Sequence, residues 1–599
     1  MTRRDLLRDL FATPGAAGAG PADGRVGRAL PAAFVLLGVL LCLSPWGLWD
    51  PDEGRYADVA RLMLERHDFV TPRINGVVML DKPPLVYWVT AASMAVWGVN
   101  ERGARFGQTL FALGILAIAF EVAWVLYRDR RALIAALILG SSVGFFVAGH
   151  FLTHDLGLSF FVALTLLCFL KGWRAGAGDA VATGPGAGNG PATRWYLGMF
   201  AAAAGGVLTK GPVAVVLAGL TGMTFIALVG GWRRLRGIPW VRGTLLFLAI
   251  SVPWFIAVSI ANPEFPEYFF IHEHLTRFAT TVHHRQGPLY YYLVVGAGGL
   301  LPWTPLLALR AARGPRRLAA LAGALRSETT AFLFAWIMPA LAFFSVSQSK
   351  LPAYILPIFP ALAIAVAVVL DANLRGRARR GVLFLAPLVA PLLLLAAAAV
   401  YAHGHAREWS SVPGGMQVWP IFAAVAALGV AAQTAGWLLD RRGRTMLGLA
   451  TAAACWAVAW FILMAAAGRA GTLNEASHLA RVLRREGADA GAVYNYRCYL
   501  RGIPFYLRHT IRLVQPSEDD IELARTKHPD PAVFPGRDEL VAALRGDTRV
   551  FVVLPTRYLD GLSADAGGPL TVLERTARYV LVSNQGEGIP GPRVKPVLH

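Results

Sequence analysis

Charged residues are scarce in this chain. Only 16% of its 599 residues are charged, whereas 55% are hydrophobic and the mean hydropathy is +0.49. A soluble domain typically has about 25% charged residues. The composition therefore argues against an ordinary soluble protein and predicts a polytopic membrane protein.

Two kinds of site are also missing from the sequence. Its four cysteines are scattered, without CxxC spacing, which argues against a disulfide framework or a thiolate metal site and favours buried thiols. There is no Walker A or Rossmann fingerprint, so the sequence gives no sign of a nucleotide site.

Long apolar runs are what the sequence has in abundance. A helix needs about 20 apolar residues to cross a membrane. About thirteen runs qualify, and we expect the first to be an uncleaved helix that follows a cytoplasmic segment at 1–29. The predicted spans are 30–47, 104–127, 131–150, 157–172, 196–208, 212–230, 243–260, 289–308, 330–346, 353–371, 381–401, 418–438 and 444–467.

The distribution of arginine predicts the orientation of these spans. Arginine is concentrated in alternate loops, which are 127–131, 171–195, 231–237, 309–321, 374–380 and 440–444. Short cytoplasmic loops are enriched in Lys and Arg. This pattern accounts for much of the net charge of +20 without nucleic acid. It places the other loops on the outer face of the membrane, together with the candidate site and the C-terminal region.

The last part of the chain has a different composition. From 468 to 599 charges become frequent and apolar runs shorten. The pattern predicts strands at "GAVYNY", "TIRLVQ" and "RVFVVLP", an amphipathic helix capped by Asn474, and a second helix at 536–546. The fold class is therefore a polytopic α-helical membrane domain, 30–467, followed by a small periplasmic α/β domain, 468–599.

The outward loops carry ionisable residues of several kinds. Ionisable groups close to hydrocarbon are costly and usually functional. Two carboxylates among several cations would suit a reaction on a phosphorylated lipid, since Lys and Arg bind phosphate. The candidates are Asp50, Asp52, Glu53, Arg55, Tyr56, Asp81 and Lys82 in the first loop (48–103), and then His154, Asp155, Lys210, His272, Glu273, His274, Arg277, Lys350 and Tyr354.

Simpler interpretations stay open for several of these residues. The stretch from Asp52 onward could be an amphipathic interfacial helix that Asp52 caps, with Arg61 on a solvated face beside Glu65 and Arg66. The "HEH" at 272–274 lacks HExxH spacing, and an exposed interfacial histidine competes there with a Zn or other metal site.

At this point the residues resemble a known family. "DPDEGRYADVARLMLERHDFVTPRINGVVMLDKPPLVYW", with "THD", "LTKGP", "HLTRF" and "SKLPAYILPIFPALA", is similar to the bacterial lipid A aminoarabinose transferases. These are relatives of the protein O-mannosyltransferases in the GT-C class of membrane glycosyltransferases. The resemblance implies transfer of a sugar, 4-amino-4-deoxy-L-arabinose in the nearest relatives, from undecaprenyl phosphate to lipid A phosphate.

The resemblance also implies roles for individual residues. Asp52 would be the principal catalytic carboxylate, with Asp155 as its partner and Glu53 in the acidic pair. A divalent metal, Zn or Mg, would bind at Asp81 and His272, although Asp is one methylene shorter than the Glu frequent there. Phosphate groups would be held by Arg55, Tyr56, Lys82, Lys210, Arg277 and Tyr354, and by Arg497 or Arg501 of the C-terminal domain.

Other functions remain open from the sequence. A GT-C enzyme could transfer another polyprenyl-phosphate sugar to a protein, glycan or glycolipid, and a hydroxyl acceptor would require Asp52 as a base. A transporter would place charges at the bilayer midplane in repeated halves, which this sequence does not show. A sensor would not need so many cations beside paired acids. We expect a monomer that contacts membrane lipids and binds no nucleic acid.

Overall fold

The computed structural model describes residues 46–178, 190–276, 287–306, 325–374, 389, 418–469, 474–488, 492–516 and 521–586. The predicted 1–29 segment lies outside them, as do the span 381–401, apart from residue 389, and most of the span 30–47. Within the described residues, seven helices are long and apolar enough to cross a membrane, and a bent pair would make an eighth.

The first loop forms a compact unit of two helices and a hairpin. Its elements are α1 (Asp52–Arg66), β1 (Arg73–Ile74), β2 (Val77–Val78) and α2 (Leu85–Trp97). The two short strands pair antiparallel. Asn75 and Gly76 connect them with positive φ angles of 48° and 85°, which is the backbone that an Asn-Gly type I′ turn requires.

The membrane domain is a bundle of helices with short connections. A π-helix (Glu267–Thr276) and two 3₁₀ helices (Trp232–Gly237 and Pro352–Ile358) lie between its longer elements. The α-helices are α3 (Glu101–Tyr127), α4 (Arg131–Ser141), α5 (Val143–Gly149), α6 (His154–Gly178), α7 (Pro191–Lys210), α8 (Val213–Val229), α9 (Trp240–Ala261), α10 (Tyr291–Gly299), α11 (Glu328–Val346), α12 (Phe359–Leu374), α13 (Val418–Arg441) and α14 (Thr445–Arg469).

Predicted spans that fall on described residues are largely helical. The span 289–308 is interrupted by a turn at 300–303, and the span 131–150 is bent. The span predicted at 131–150 consists of α4 and α5, bent by 67° around Ser142. The Ser142 hydroxyl and backbone amide both donate to the Leu139 carbonyl at this bend, at 2.7 and 3.2 Å. The spans predicted at 196–208 and 212–230 correspond to α7 and α8.

The C-terminal region forms a five-stranded sheet with flanking helices. Its helices are α15 (Glu475–Arg485), α16 (Gly502–Leu507), α17 (Glu522–Lys527), α18 (Arg537–Arg545) and α19 (Leu559–Ala566), and its strands are β3 (Val493–Tyr496), β4 (Arg512–Val514), β5 (Phe551–Pro555), β6 (Thr571–Arg575) and β7 (Tyr579–Ser583). The strand order is β4-β3-β5-β7-β6. Strand β3 is parallel to both of its neighbours, β4 and β5, whereas β7 is antiparallel to both of its neighbours, β5 and β6. The predicted α/β class is therefore confirmed.

Hydrogen bonds attach the first loop to the C-terminal domain. Asn75 donates from Nδ2 to the Ile511 carbonyl and accepts from the Ile511 amide, each at 2.8 Å. The Gly502 amide donates to Asp50 Oδ1 at 2.9 Å. A Cβ on Gly54 would lie 2.5 Å from the Gly502 nitrogen, so only glycine permits this approach of α1 to α16. The first loop is thereby held by the C-terminal domain.

Two local expectations are wrong. Arg61 is not on a solvated face: its side chain is 1% exposed and donates to Asp58 at 2.7 and 3.0 Å, because α1 is covered by its neighbours. Asn474 precedes α15, but its side chain makes no capping hydrogen bond and instead donates to the Gly468 carbonyl.

The buried Asp58–Arg61 pair predicts a large effect on stability. Replacing Arg61 by Met should leave Asp58 buried without its partner, at a cost of about 3–5 kcal/mol in the free energy of unfolding. Thermal unfolding in detergent measures this. Arg66→Met changes an exposed residue of the same helix, so its free energy of unfolding should stay within about 0.5 kcal/mol of the parent value. Equal losses of stability in the two variants would contradict the interpretation.

Candidate functional site

Six separate segments bring ionisable side chains together at one end of the bundle. They are the start of α1, the turn after β2, the start of α6, the end of α7, the π-helix and the 3₁₀ helix at Pro352–Ile358. We call the resulting group the acid–base cluster. Its members are Asp52, Arg55, Tyr56, Asp81, Lys82, His154, Asp155, Lys210, Glu273 and Tyr354.

Arg55 links two carboxylates in the first half of the cluster. It lies one turn after Asp52 on α1 and donates to Asp52 Oδ1 at 2.8 Å, with Asp81 Oδ2 3.5 Å away. It also donates to the Tyr56 hydroxyl at 2.6 Å. Pro51 occupies the N-cap position, so Asp52 is the first residue of α1 and not its cap. The carboxylate of Asp52 is held by Arg55.

Lys82 lies between two further carboxylates. Its Nζ is 3.3 Å from Asp81 Oδ2 and 3.1 Å from Glu273 Oε2. These side chains are only 7–13% exposed. Because Pro83 and Pro84 follow Lys82 and start α2, the backbone at Lys82 is tightly constrained.

The second half of the cluster is built by α6 and α7. Lys210, in the last turn of α7, donates to Asp155 Oδ1 at 2.5 Å. Its ammonium also lies 4.7 Å from the centre of the Tyr354 ring, which is cation–π distance. Asp155 is in the first turn of α6, a position that favours a negative charge.

Aromatic rings join the two halves. The His154 ring packs edge-on against Tyr56 at 4.5 Å and Tyr87 at 4.9 Å between ring centres. Both nitrogens of His154 are buried and have no hydrogen-bond partner in the described part of the chain. Tyr56 interacts electrostatically with Asp52, Asp81 and Asp155, so carboxylates of both halves lie around a single centre.

The protonation of the cluster follows from its burial and its pairing. Burial raises the pKa of Tyr56 well above 10, so that its hydroxyl keeps its proton. Burial also acts to raise the pKa of Asp81, but Lys82 and Arg55 outweigh it and hold that pKa below 3.8. Asp81 is therefore ionised at neutral pH.

Glu53 is placed differently from the catalytic role predicted for it. Its carboxylate is completely buried and accepts two hydrogen bonds from Arg105, at 2.5 and 2.7 Å. The amides of Trp49 and Leu152 also donate to it, at 2.9 and 3.0 Å. With its oxygens engaged, Glu53 fixes the start of α1 beside α3 and α6, and this geometry favours a positioning role.

The two arginines predicted in the C-terminal domain are not brought into the cluster. Arg497 donates to Gln515 Oε1 at 3.0 Å and lies 4.8 Å over the Tyr558 ring in the C-terminal domain. The alternative residue, Arg501, attracts the buried Asp50 beside the first loop. Arg277 and the side chain of His272 lie outside the part of the structure that is described.

The predicted metal site finds limited support. Among the described residues there is no group of three or more His, Cys, Asp and Glu arranged to hold a metal ion. Asp81 Oδ1 is buried without a hydrogen-bond partner in the same residues, but its other oxygen already lies beside Lys82 and Arg55. Two cations at one carboxylate disfavour a third, and metal binding at Asp81 stays a prediction.

Sequence reasoning missed Arg105 and Tyr87 as parts of the site's framework. Arg105 falls in the predicted span 104–127, and a charged residue in such a run is itself a signal. It is 52 positions from Glu53, so the pairing could not be read from local spacing. Tyr87 lies in an apolar stretch that has no distinguishing pattern.

Asp50 supplies a pH-dependent contact between the first loop and the C-terminal domain. Burial raises its pKa from 3.8 to about 7, with Arg501 opposing the shift. Oδ2 is buried and has no partner in the described residues, as suits a protonated carboxyl. The folded protein therefore binds this proton more tightly than the unfolded chain does.

The Asp50 contribution to stability should thus be complete below about pH 4 and should be lost as pH rises towards 7. Between these pH values the free energy of unfolding should fall by about 1.4 kcal/mol per pH unit because of this group. Thermal unfolding between pH 4 and 8 should show this slope reduced in Asp50→Asn relative to the parent protein. The exposed Asp538→Asn should leave the slope unchanged, and an Asp50→Asn profile parallel to that of the parent would contradict the assignment.

Two family models match this chain, one in the membrane domain and one in the C-terminal domain. The family model of dolichyl-phosphate-mannose-protein mannosyltransferases matches residues 29–269, and that of the aminoarabinose transferase C-terminal domain matches residues 479–584. Two similar relatives are named undecaprenyl phosphate-alpha-4-amino-4-deoxy-L-arabinose arabinosyl transferase. The one from Pseudomonas aeruginosa is 34% identical over 340 residues, and the one from Yersinia enterocolitica is 32% identical over 346 residues.

These alignments cover 56–57% of this chain and 58% of each relative, so the chain matches little more than half the length of those proteins. A solved structure extends the similarity. The crystal structure of ArnT from Cupriavidus metallidurans bound to undecaprenyl phosphate has a TM-score of 0.79 and 27% identity, and the match covers 95% of this chain and 100% of that one. The apo structure of the same protein matches this chain with a TM-score of 0.73. This chain is therefore similar to the aminoarabinose transferases in both of its parts, and it shares the GT-C fold of ArnT over nearly its whole length.

Proposed function

We propose that this chain is a membrane glycosyltransferase that moves 4-amino-4-deoxy-L-arabinose from undecaprenyl phosphate to a phosphate of lipid A. The observation that carries the proposal is the difference in exposure within the cluster. The Asp52 side chain is 40% exposed, whereas those of Asp81, Asp155 and Glu273 are 7–13% exposed. Asp52 is thus the cluster carboxylate best placed to meet a substrate.

The cations of the cluster are suited to the phosphate of a lipid donor. In the described residues four carboxylates surround Arg55, Lys82 and Lys210, so a bound phosphate competes with the carboxylates for these cations, and we infer that it replaces one of them. Lys210 is the best candidate, because a single carboxylate, Asp155, and the Tyr354 ring hold its ammonium. The predicted Arg277 would add a further cation.

The proposed reaction is a direct displacement at the anomeric carbon. An oxygen of the acceptor phosphate forms the new bond to this carbon, while the bond to the donor phosphate oxygen breaks and its electrons stay on the lipid phosphate. Lys210 stabilises the charge that develops there, so no general acid is needed. The acceptor phosphate is already ionised, so Asp52 stabilises the cationic sugar or its ammonium group and does not act as a base.

The ends of the helices support a periplasmic active site in the inner membrane. Helices α3, α6 and α8 have the first loop or the cluster region at one end and residues of arginine-rich connections at the other. Tyr127, for example, ends α3 just before Arg128, Arg130 and Arg131. Since arginine-rich short loops remain in the cytoplasm, the cluster and the C-terminal domain belong on the periplasmic face.

A second candidate function has a specific observation in its favour. The mannosyltransferase family model matches 29–269, which include most of the cluster. A protein or glycan acceptor would attack through a hydroxyl, and Asp52 would then be the base that removes its proton.

The proposal predicts that Asp52→Asn abolishes transfer. Purified protein should move the sugar from synthetic undecaprenyl-phosphate aminoarabinose to lipid A, and Asp52→Asn should lower kcat by about 10²–10³-fold because charge stabilisation is lost. Asp538→Asn makes the same chemical change on an exposed helix and should leave the rate within about twofold. Full activity of Asp52→Asn would contradict the role of Asp52, and transfer to a peptide or glycan but not to lipid A would favour the second candidate.

Lys210 gives a separate prediction on donor binding. Lys210→Met should raise the Kd for undecaprenyl phosphate about tenfold or more, because a charged hydrogen bond contributes about 1.5–3 kcal/mol. Lys527→Met, exposed on α17, is the matched control and should bind as the parent does. Unchanged affinity in Lys210→Met would show that the phosphate binds elsewhere.

A further inference from the structure

A cavity of about 580 Å³ lies outside the acid–base cluster, where the membrane domain meets the C-terminal domain. Four parts of the chain form its walls: residues 46–47, the corner between α2 and α3 at 99–101, the last turn of α14, and helices α15 and α16. None of the cluster residues is among those that line it. The proposed transferase function therefore does not account for this cavity.

One side of the cavity reaches the edge of the hydrocarbon layer. Ala465 and Gly468 line it from the end of α14, whose apolar run is long enough to cross a membrane. Val96 and Trp97, just before the lining corner, are 74% and 55% exposed. Exposed tryptophan beside the end of a membrane helix is typical of the lipid–water interface.

The opposite side is basic. Along α15, side chains at a spacing of three or four residues share one face, and Ser477, His478, Arg481 and Arg484 line the cavity from that face. Arg481 and Arg508 each use one donor on a backbone carbonyl, Ser477 and Val99 respectively, both at 3.2 Å. A guanidinium has five N–H donors, so others remain for a ligand.

Only one carboxylate opposes these three arginines among the described lining residues. It belongs to Glu101, which is engaged in a side-chain hydrogen bond with Tyr506. The Tyr506 hydroxyl also accepts a hydrogen bond from the Leu48 amide at 2.8 Å. The basic character of the cavity is therefore not neutralised, and it suits an anion.

We propose that this cavity binds the headgroup of an anionic glycerophospholipid, with the phosphate at Arg481, Arg484 and Arg508 and the acyl chains leaving along the end of α14. Guanidinium groups pair with phosphate in bidentate fashion, and the apolar side receives the hydrocarbon. The bound lipid would hold α15 against the membrane domain. Arg105 donates to the carbonyls of Trp46 and Gly47 in the cavity wall and to Glu53 beside the cluster, so the same segment forms one wall of this cavity and supports α1.

The test compares two adjacent arginines on α15 in the purified full-length chain. Both are exposed, but Arg484 lines the cavity and Arg485 does not. Native mass spectrometry should show phosphatidylglycerol retained in preference to phosphatidylcholine. Arg484→Gln should lower phosphatidylglycerol affinity at least about fivefold, Arg481→Gln/Arg484→Gln should lower it further, and Arg485→Gln should leave it unchanged.

Three outcomes would overturn the proposal. Equal loss of lipid in Arg484→Gln and Arg485→Gln would indicate only a general surface charge effect. Equal retention of phosphatidylcholine would show that the phosphate and net charge of the headgroup are not what is recognised. Displacement of phosphatidylglycerol by millimolar inorganic phosphate would assign the cavity to a free anion. Stabilisation against thermal unfolding by phosphatidylglycerol, absent in Arg481→Gln/Arg484→Gln, would support it independently.

Discussion

Charges in this protein lie where water is scarce, and each must find an opposite charge nearby. An uncompensated buried ion costs several kcal/mol, so pairing restricts where these side chains can be. Glu53 is held by Arg105, and Asp58 by Arg61, with the charged groups almost completely buried. These two pairs fix α1 along its length, and the position of Asp52 follows from them.

The same requirement explains why the cluster draws on distant parts of the chain. Lys82 forms ion pairs with both Asp81 and Glu273, while Lys210 forms an ion pair with Asp155. Such pairs hold the ammonium groups in place before any ligand arrives and leave them able to exchange a carboxylate for a phosphate. The C-terminal domain contributes from the other side, through the contacts of Asn75 and Asp50, by clamping the loop that carries Asp52.

The sequence predicted those features that depend on local pattern. Apolar runs long enough to cross a membrane located the membrane helices, and short runs rich in β-branched and aromatic residues located β3, β4 and β5. Arg61 was placed wrongly because i,i+4 charge spacing looks the same on an exposed and on a covered helix face. The pairing of Lys82 with Glu273 spans 191 positions, and no local pattern reports such a contact.

The resemblance to the family supplied more of the candidate site than spacing alone could. It assigned phosphate binding to Tyr354 and Lys210, and these lie together in the structure. It also suggested Arg497, which lies with Gln515 and Tyr558 in the C-terminal domain, since the first turn after β3 could not be aligned from sequence. Glu53 was grouped with Asp52 as an acidic pair, although successive helical residues point in different directions.

The central claim is that the acid–base cluster binds the phosphate of a polyprenyl donor by replacing a carboxylate at a cation. Cryo-electron microscopy of the full chain with undecaprenyl phosphate tests this most directly. The account predicts the phosphate within salt-bridge distance of Lys210, with Asp155 displaced from its Nζ. A phosphate bound away from Arg55, Lys82 and Lys210, with the Lys210–Asp155 pair intact, would contradict it.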